Sequence, residues 1–110
     1  MINTEFVSEG AEQQLPAEVH VAFYRIAQEA MNNAIKHSQA TQISMTLTNT
    51  TAVTRLTIAD DGTGFDVIQL SAGMGLYTMK ERAVALDMSF DLQSEMGAGT
   101  QVIVAWNQEE

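Results

Sequence analysis

Residues 25–37 read RIAQEAMNNAIKH. Apolar residues recur through this stretch at helical spacing, which predicts a long helix that continues to about His37. Glu29, Asn33 and His37 follow one another at intervals of four residues, so their side chains project along one line of that helix. Asn33 falls where the polar face meets the apolar stripe, and this position directs its side chain towards the rim of a sheet.

Glu29 and Asn33 carry chemistry that suits a magnesium-bound nucleotide. A neutral amide oxygen is a hard ligand for Mg²⁺, which keeps several waters and takes other ligands from phosphate oxygens. The Glu29 carboxylate, one turn back, is placed to orient or deprotonate a metal-bound water or an incoming nucleophile. Taken in isolation, however, the pair is better explained as a solvated helix face with an incidental asparagine.

A second stretch, DDGTG at residues 60–64, follows an alternating segment that predicts a half-buried strand. A carboxylate at a strand end, here Asp60, accepts a hydrogen bond from an exocyclic amine such as adenine N6. The glycines that follow let the backbone pass close to a planar ring. The alternatives are an ordinary acidic turn and a metal site from the paired aspartates. The metal site is disfavoured because adjacent side chains on an extended chain point apart.

Two further glycine stretches complete the set. Residues 73–76, GMGL, precede a second predicted helix, where backbone amides suit phosphate, with a simple hinge as the alternative. Residues 97–100, GAGT, by themselves predict a hairpin turn, and a role in binding adenine depends on the Thr100 hydroxyl returning to the Asp60 strand end. Neither a dinucleotide fingerprint nor a Walker loop is present. Four such stretches in one order are far rarer by chance than any single one, and together they favour a nucleotide site.

Composition narrows the classes of function. The 110 residues include 45% hydrophobic residues and no cysteine, which predicts one domain, residues 1–110, without disulfides or thiolate chemistry. A formal net charge of −9 disfavours nucleic acid and anionic membrane surfaces as partners. No apolar run approaches the roughly 20 residues that span a bilayer. Residues 1–5 also lack signal-peptide features, so the cytoplasm is the expected compartment.

The rest of the pattern predicts an α+β fold. A second, shorter helix is expected to begin near Gly75, after a loop at residues 65–72. Alternating polar and apolar residues predict strands at residues 2–7, 43–47, 53–59, 90–93 and 101–106. This order gives a two-layer sandwich, in which helices cover one face of a mixed, mostly antiparallel sheet and the other face is partly open to water.

The four stretches resemble the nucleotide-binding boxes of bacterial sensor histidine kinases. Residues 25–37 resemble their N box, and residues 60–64, 73–76 and 97–100 look like their G1, G2 and last glycine boxes. Residues 75–83, GLYTMKERA, are similar to the group that includes nitrate and sugar-phosphate sensors. The resemblance covers about residues 15–105, nearly the whole chain. It implies a Bergerat (GHKL) fold that binds ATP under a flexible lid.

The resemblance also implies the site residues. Asn33 would bind Mg²⁺, and Glu29 would act as the general base for transfer of the ATP γ-phosphoryl group. Asp60 would bind adenine N6, with Thr100 assisting. The other expected nucleotide contacts are glycines beside the ring or at the lid hinge and residues at two helix ends: Gly62, Gly64, Gly73, Gly75, Leu76, Lys36 and His37.

Two departures from the family pattern bear on these expectations. The usual Leu-Gly-Gly turn after the second helix is replaced by Leu86-Asp87-Met88, which puts the conformation of that turn in question. No preceding helix carries a phosphoacceptor histidine followed by an acidic residue, and neither His20 nor His37 matches that motif. The chain is therefore expected to be an excised catalytic domain, or a partner protein without its own acceptor.

The expected function is that of an ATP-dependent protein histidine kinase domain in two-component signalling. Its partners would be a histidine-containing dimerisation domain and, downstream, a LuxR-type response regulator. The isolated domain is expected to be a monomer, and the parent kinase a homodimer whose cytoplasmic part includes this domain. Two alternatives stay open: a nucleotide-responsive binding module without transfer activity, and an anti-sigma-factor-type serine kinase.

Overall fold

The structure, a computed structural model, describes residues 2–37, 39–63, 76–95 and 97–107. Within these residues the helices and strands follow one another in the order β1 Asn3–Glu9, α1 Ala17–His37, β2 Gln42–Asn49, β3 Val53–Asp60, α2 Leu76–Val84, β4 Ser89–Glu95 and β5 Gly99–Asn107. The predicted α+β class is confirmed. The predicted loop at residues 65–72 lies outside the described residues. No helix in the described part of the chain is long and apolar enough to cross a membrane.

The sheet has the strand order β1-β2-β3-β5-β4. β1 pairs with β2 in parallel, and the other three pairs are antiparallel, so the predicted mixed, mostly antiparallel sheet is confirmed. The prediction that β1 ends at residue 7 is wrong, because the strand continues to Glu9, which pairs with Thr48. All of β1 is exposed, so backbone pairing at this sheet edge, and not side-chain burial, decides where the strand ends.

One face of the sheet forms the core with the helices. Residues directly opposite each other on neighbouring strands share a face, so the register defines rows across the sheet. One apolar row is Phe6, Met45, Ile58, Val102 and Leu92, and the next is Ser8, Leu47, Leu56, Val104 and Phe90. The α1 residues that pack against this face are Val19, Phe23, Ile26, Ala30 and Ala34, all buried.

The opposite face of the sheet is polar. The row Glu5, Ser44, Ala59, Gln101 and Gln93 contains no large apolar side chain and is exposed or half-buried throughout. Helices on one face and a second face partly open to water are therefore both confirmed. Folding is driven by the helix-covered face, where each fully buried aliphatic side chain such as Ile26 contributes about 1.5–3 kcal/mol.

The turn after α2, Leu86-Asp87-Met88, has the conformation that a glycine would normally give it. Asp87 has a φ of 59°, the left-handed conformation that glycine normally supplies after a helix. The Asp87 N–H donates to the Val84 carbonyl at 3.0 Å, and the Met88 N–H donates to the Ala83 carbonyl at 2.9 Å. These two bonds form a Schellman motif. The departure from the family sequence therefore keeps the glycine-type conformation, with an aspartate in it.

Candidate functional site

The α1 residues predicted for metal and catalysis lie at the edge of the buried stripe. Glu29 and Asn33 are both half-buried, whereas Lys36, near the helix end, is exposed. Their neighbour Ala30 is buried against the sheet, so the border position predicted from the helical pattern is confirmed. His37 is the last residue of α1, and its side chain lies outside the described part of the chain.

Asp60, Thr100 and Ser94 form a polar row at one end of the sheet. Asp60 is the last residue of β3 and pairs with Thr100 near the start of β5, which in turn pairs with Ser94 of β4. All three are half-buried and lie on the helix-covered face. This register places Thr100 at the Asp60 strand end, which is the condition on which its predicted role depends.

Short hydrogen bonds order the row. Asp60 Oδ1 accepts from the Gly62 N–H at 2.8 Å, so the carboxylate itself shapes the first turn of the glycine loop. Ser94 Oγ lies 2.8 Å from Thr100 Oγ1 and donates to the Gly99 carbonyl at 3.2 Å. A cavity of about 570 Å³ opens here, and its lining includes Asp60, Ser94 and Thr100.

Gly99 permits the close approach of β5 to β3. Its φ is +86°, and a Cβ atom at this position would lie 2.3 Å from the Asp60 carbonyl oxygen. Gly97 has the same φ of +86°, but a Cβ there would meet nothing within 4 Å. The two glycines of the GAGT stretch thus differ. Gly97 is required only by the turn, whereas Gly99 is required both by the turn and by the Asp60 backbone behind it.

Asp61 performs a different task from its neighbour. Its Oδ1 accepts from the backbone N–H groups of Thr41 and Gln42, both at 2.9 Å, and its Oδ2 accepts from the Thr41 hydroxyl at 2.7 Å. The Thr41 hydroxyl bond, followed by the backbone bonds, lowers the pKa of the Asp61 carboxyl below its ordinary value. Asp61 therefore ties the end of β3 to the segment that leads from α1 into β2.

Sequence reasoning missed Asp61 and Ser94. The expectation that adjacent aspartates point apart is consistent with the structure, but no pattern indicated that Thr41 and Gln42 would receive Asp61. Ser94 had a usable signal, because it lies six residues before Thr100 across a predicted hairpin. Counting residues outward from the centre of the turn places Ser94 opposite Thr100.

The structure brings together only some of the predicted site residues. Asp60 and Thr100 line one cavity, but Glu29 and Asn33 are not part of its lining. Gly62 follows the strand end and is half-buried, and Leu76 begins α2. The glycines at positions 64, 73 and 75 lie outside the described residues. A larger groove of about 880 Å³ between α1 and α2, lined by Val21 and Val84 among others, contains none of the predicted residues.

The donor chemistry on α1 fits a magnesium ion that is held mainly by a nucleotide. Mg²⁺ in such sites keeps several waters and takes phosphate oxygens, so one amide oxygen such as that of Asn33 suits it as the protein ligand. Among the described residues, no group of three or more His, Cys, Asp or Glu side chains is arranged to hold a metal ion.

Known proteins resemble this chain in sequence. Residues 18–110 match the family described as histidine kinase-, DNA gyrase B-, and HSP90-like ATPase. The chain is 34% identical over 107 residues to the signal transduction histidine-protein kinase/phosphatase DegS of Bacillus subtilis, covering 94% of this chain and 28% of DegS. The chain thus spans less than a third of that relative.

Solved structures share the fold. The catalytic domain of the histidine kinase ThkA superimposes with a TM-score of 0.78 at 13% identity, covering 97% of this chain and 78% of that one. The blue-light activated histidine kinase EL346 of Erythrobacter litoralis gives a TM-score of 0.73 at 18% identity, covering 94% and 34%.

Proposed function

Because this chain belongs to the family of histidine kinase-, DNA gyrase B- and HSP90-like ATPases, we propose that it transfers the γ-phosphoryl group of Mg-ATP to a histidine on a separate dimerisation domain. The chain is an ATPase domain of the kind that sensor histidine kinases carry. The observation that carries the proposal is that Asp60 pairs with Thr100 at the end of the sheet, where Gly99 lets the two strands approach closely. The polar side chains of this pair line a cavity.

The adenine end of the nucleotide would lie against this polar row. An ionised carboxylate only accepts hydrogen bonds, so Asp60 suits the exocyclic amine of adenine. Its bond to the Gly62 N–H holds the carboxylate in place before a ligand arrives. Preorganisation of this kind lowers the entropic cost of binding. Gly62 and Gly64 would lie beside the ring, where the absence of a side chain lets the backbone approach.

The phosphate end would lie towards the second half of α1. There Asn33 would supply a protein ligand to Mg²⁺, with Lys36 and His37 near the phosphates and with Gly73, Gly75 and Leu76 at the lid. The ion, when bound, would neutralise charge on the phosphates. Glu29, one turn before Asn33, would take the proton from the attacking nucleophile or orient it.

The phosphoacceptor is proposed to be outside the chain's own nucleotide site. Transfer requires the acceptor within about 3–3.5 Å of the phosphorus and in line with it. His20 is exposed on the first turn of α1, nine residues before Glu29, which corresponds to about 13 Å along a helix. It is therefore too distant to receive the group. The parent protein would be a dimeric sensor kinase that acts in the cytoplasm and passes the phosphoryl group to a LuxR-type response regulator.

The proposal is tested with radiolabelled ATP. The purified chain should label a separately supplied histidine domain from its parent kinase and show little or no label itself. Glu29→Gln should retain ATP binding and lose most transfer, by about 10²- to 10⁴-fold, since this is the usual contribution of a general base. Glu18→Gln, an exposed carboxylate on the first turn of the same helix, should transfer normally. Stable self-labelling on His20 or His37 would contradict the proposal.

A further inference from the structure

The Ser94 hydroxyl contacts two groups of the neighbouring strand at once. Its oxygen lies 2.8 Å from Thr100 Oγ1 and 3.2 Å from the Gly99 carbonyl oxygen. A carbonyl oxygen only accepts, and each hydroxyl has one proton to donate. Both contacts are hydrogen bonds at the same time only when Ser94 donates to Gly99 and Thr100 donates to Ser94.

This arrangement fixes the direction of the Thr100 hydroxyl. Its proton points across to β4, so the lone pairs of Thr100 Oγ1 are what it offers to a ligand on the Asp60 side. The Asp60 carboxylate is opposite Thr100 in the register and is also an acceptor. Two neighbouring acceptors at the end of the sheet favour a base edge that supplies N–H donors, and they disfavour one that presents a carbonyl oxygen.

We propose that Ser94 is a specificity-determining residue that acts through Thr100 and favours purines with an exocyclic amine over purines with a carbonyl group at that position. This inference rests on the ATP site proposed above. Ser94 is a positioning residue, because it acts on the base only through the threonine. Without its oxygen, the Thr100 hydroxyl rotates and donates to a ligand carbonyl, so discrimination between the two kinds of purine is reduced.

The test compares ATP with inosine triphosphate, whose purine has a carbonyl in place of the exocyclic amine and an N–H group at N1 in place of the unprotonated ring nitrogen. Affinities of both are measured by titration calorimetry for the wild-type chain, Ser94→Ala and Ser94→Thr. Ser94→Ala should lower the ratio of ATP to inosine triphosphate affinity by about 3- to 10-fold, the range expected for one hydrogen bond. Ser94→Thr keeps the hydroxyl and should keep the ratio.

A matched control comes from the opposite face of the sheet. Ser44 is also a half-buried strand serine, but it belongs to the polar row with Ala59, so Ser44→Ala should leave the ratio unchanged. If Ser94→Ala does not fold, as judged by circular dichroism, Ser94→Cys replaces it. Its thiol is only a weak hydrogen-bonding group, so it should also lower the ratio.

The outcomes separate this inference from the proposed function. Equal losses of affinity for both nucleotides in the Ser94 variants would mean that Ser94 is only structural, and would overturn the inference while leaving the ATP site intact. An unchanged ratio in Thr100→Val, which has no hydroxyl to orient, would overturn it as well. A wild-type chain that does not bind ATP would overturn the proposed function and this inference together.

Discussion

Asp60 and Asp61 are adjacent in the chain, but the structure uses them in opposite ways. Asp61 accepts three hydrogen bonds from Thr41 and Gln42 and so fastens the strand end to the start of β2. Asp60 turns to the helix-covered face, accepts from the Gly62 N–H and lines the cavity with Thr100. Because neighbouring side chains on an extended chain point apart, Asp61 stabilises the fold while Asp60 lines the cavity, where we propose that it binds adenine.

The largest effect is expected from removing the glycine that lets β5 pass behind Asp60. Gly99→Ala places a Cβ in collision with the Asp60 carbonyl and also forces alanine into a left-handed conformation. Gly97→Ala has only the second problem and should lower the free energy of unfolding by about 1–2 kcal/mol. Gly99→Ala should cost a further ~1–3 kcal/mol. Urea unfolding of both variants checks the difference, and equal losses would show that the close approach is unimportant.

The next largest effects, on ATP affinity and on melting temperature, should distinguish the roles of Asp60 and Asp61. Asp60→Ala should weaken ATP binding by roughly 10- to 100-fold, because a hydrogen bond to a charged group is removed from the ligand. Its melting temperature should change little. Asp61→Ala should show the reverse, a clearly lower melting temperature with a smaller loss of affinity. Titration calorimetry and thermal melts on both variants provide the comparison. A greater loss of affinity in Asp61→Ala would exchange the roles assigned to the pair.

The pH dependence of stability gives a finer test of Asp61. Its folded pKa lies below the ordinary value of 3.8 because of the Thr41 and Gln42 bonds. The stability that it contributes is therefore present above the unfolded pKa and is lost as the pH falls through the folded pKa. The wild-type chain should melt higher than Asp61→Asn at pH 7, and the gap should close on acidification below about pH 4.

Thr41→Val removes the largest cause of the lowered pKa and serves as the partner variant. At neutral pH the melting temperature of Thr41→Val should exceed that of Asp61→Asn by less than the wild-type value does. The reason is that Asp61 then loses the 2.7 Å hydroxyl bond but retains the two backbone bonds. A gap between the wild-type chain and Asp61→Asn that is constant from pH 7 to acid would contradict the assigned role of the charge.

The smallest effect on stability is expected at a third aspartate, Asp87, where only the backbone conformation is tested. Its φ of 59° is one that glycine adopts without strain. Asp87→Gly should therefore raise the free energy of unfolding by about 0.5–1 kcal/mol, as measured by urea denaturation, and leave ATP affinity unchanged. A destabilised variant would show that the aspartate side chain contributes to the turn. This result would add a structural aspartate to the comparison.

The fold was largely predictable because periodicity reports which residues are buried. Ile26, Ala30 and Ala34 recur at helical spacing, and Ile43, Met45 and Leu47 alternate along a strand, so both patterns identify the core face. β1 was predicted too short, because its last residues are ordered by backbone pairing with β2 at an exposed edge, which leaves no hydrophobic pattern.

The site was predictable only where residue type and chemistry coincide. Asp60 follows a predicted strand and Thr100 follows a predicted hairpin turn, so both positions could be singled out from the sequence, while their binding roles stay predictions. Asp61 and Ser94 depend on contacts with Thr41 and Gly99, and such contacts form only when the sheet is assembled. The roles of Glu29, Asn33 and the other predicted nucleotide contacts remain predictions for experiment.

Titration of ATP with and without Mg²⁺ into the wild-type chain, Asn33→Ala and Asn32→Ala tests whether α1 supplies the metal ligand of a Mg-ATP site. Asn32 is the adjacent, exposed asparagine on the same helix and provides the matched control. Mg²⁺ should strengthen ATP binding by the wild-type chain and by Asn32→Ala, whereas Asn33→Ala should fold normally but lose most of this gain. Unchanged magnesium-dependent binding by Asn33→Ala would contradict the claim that α1 supplies the metal ligand of a Mg-ATP site.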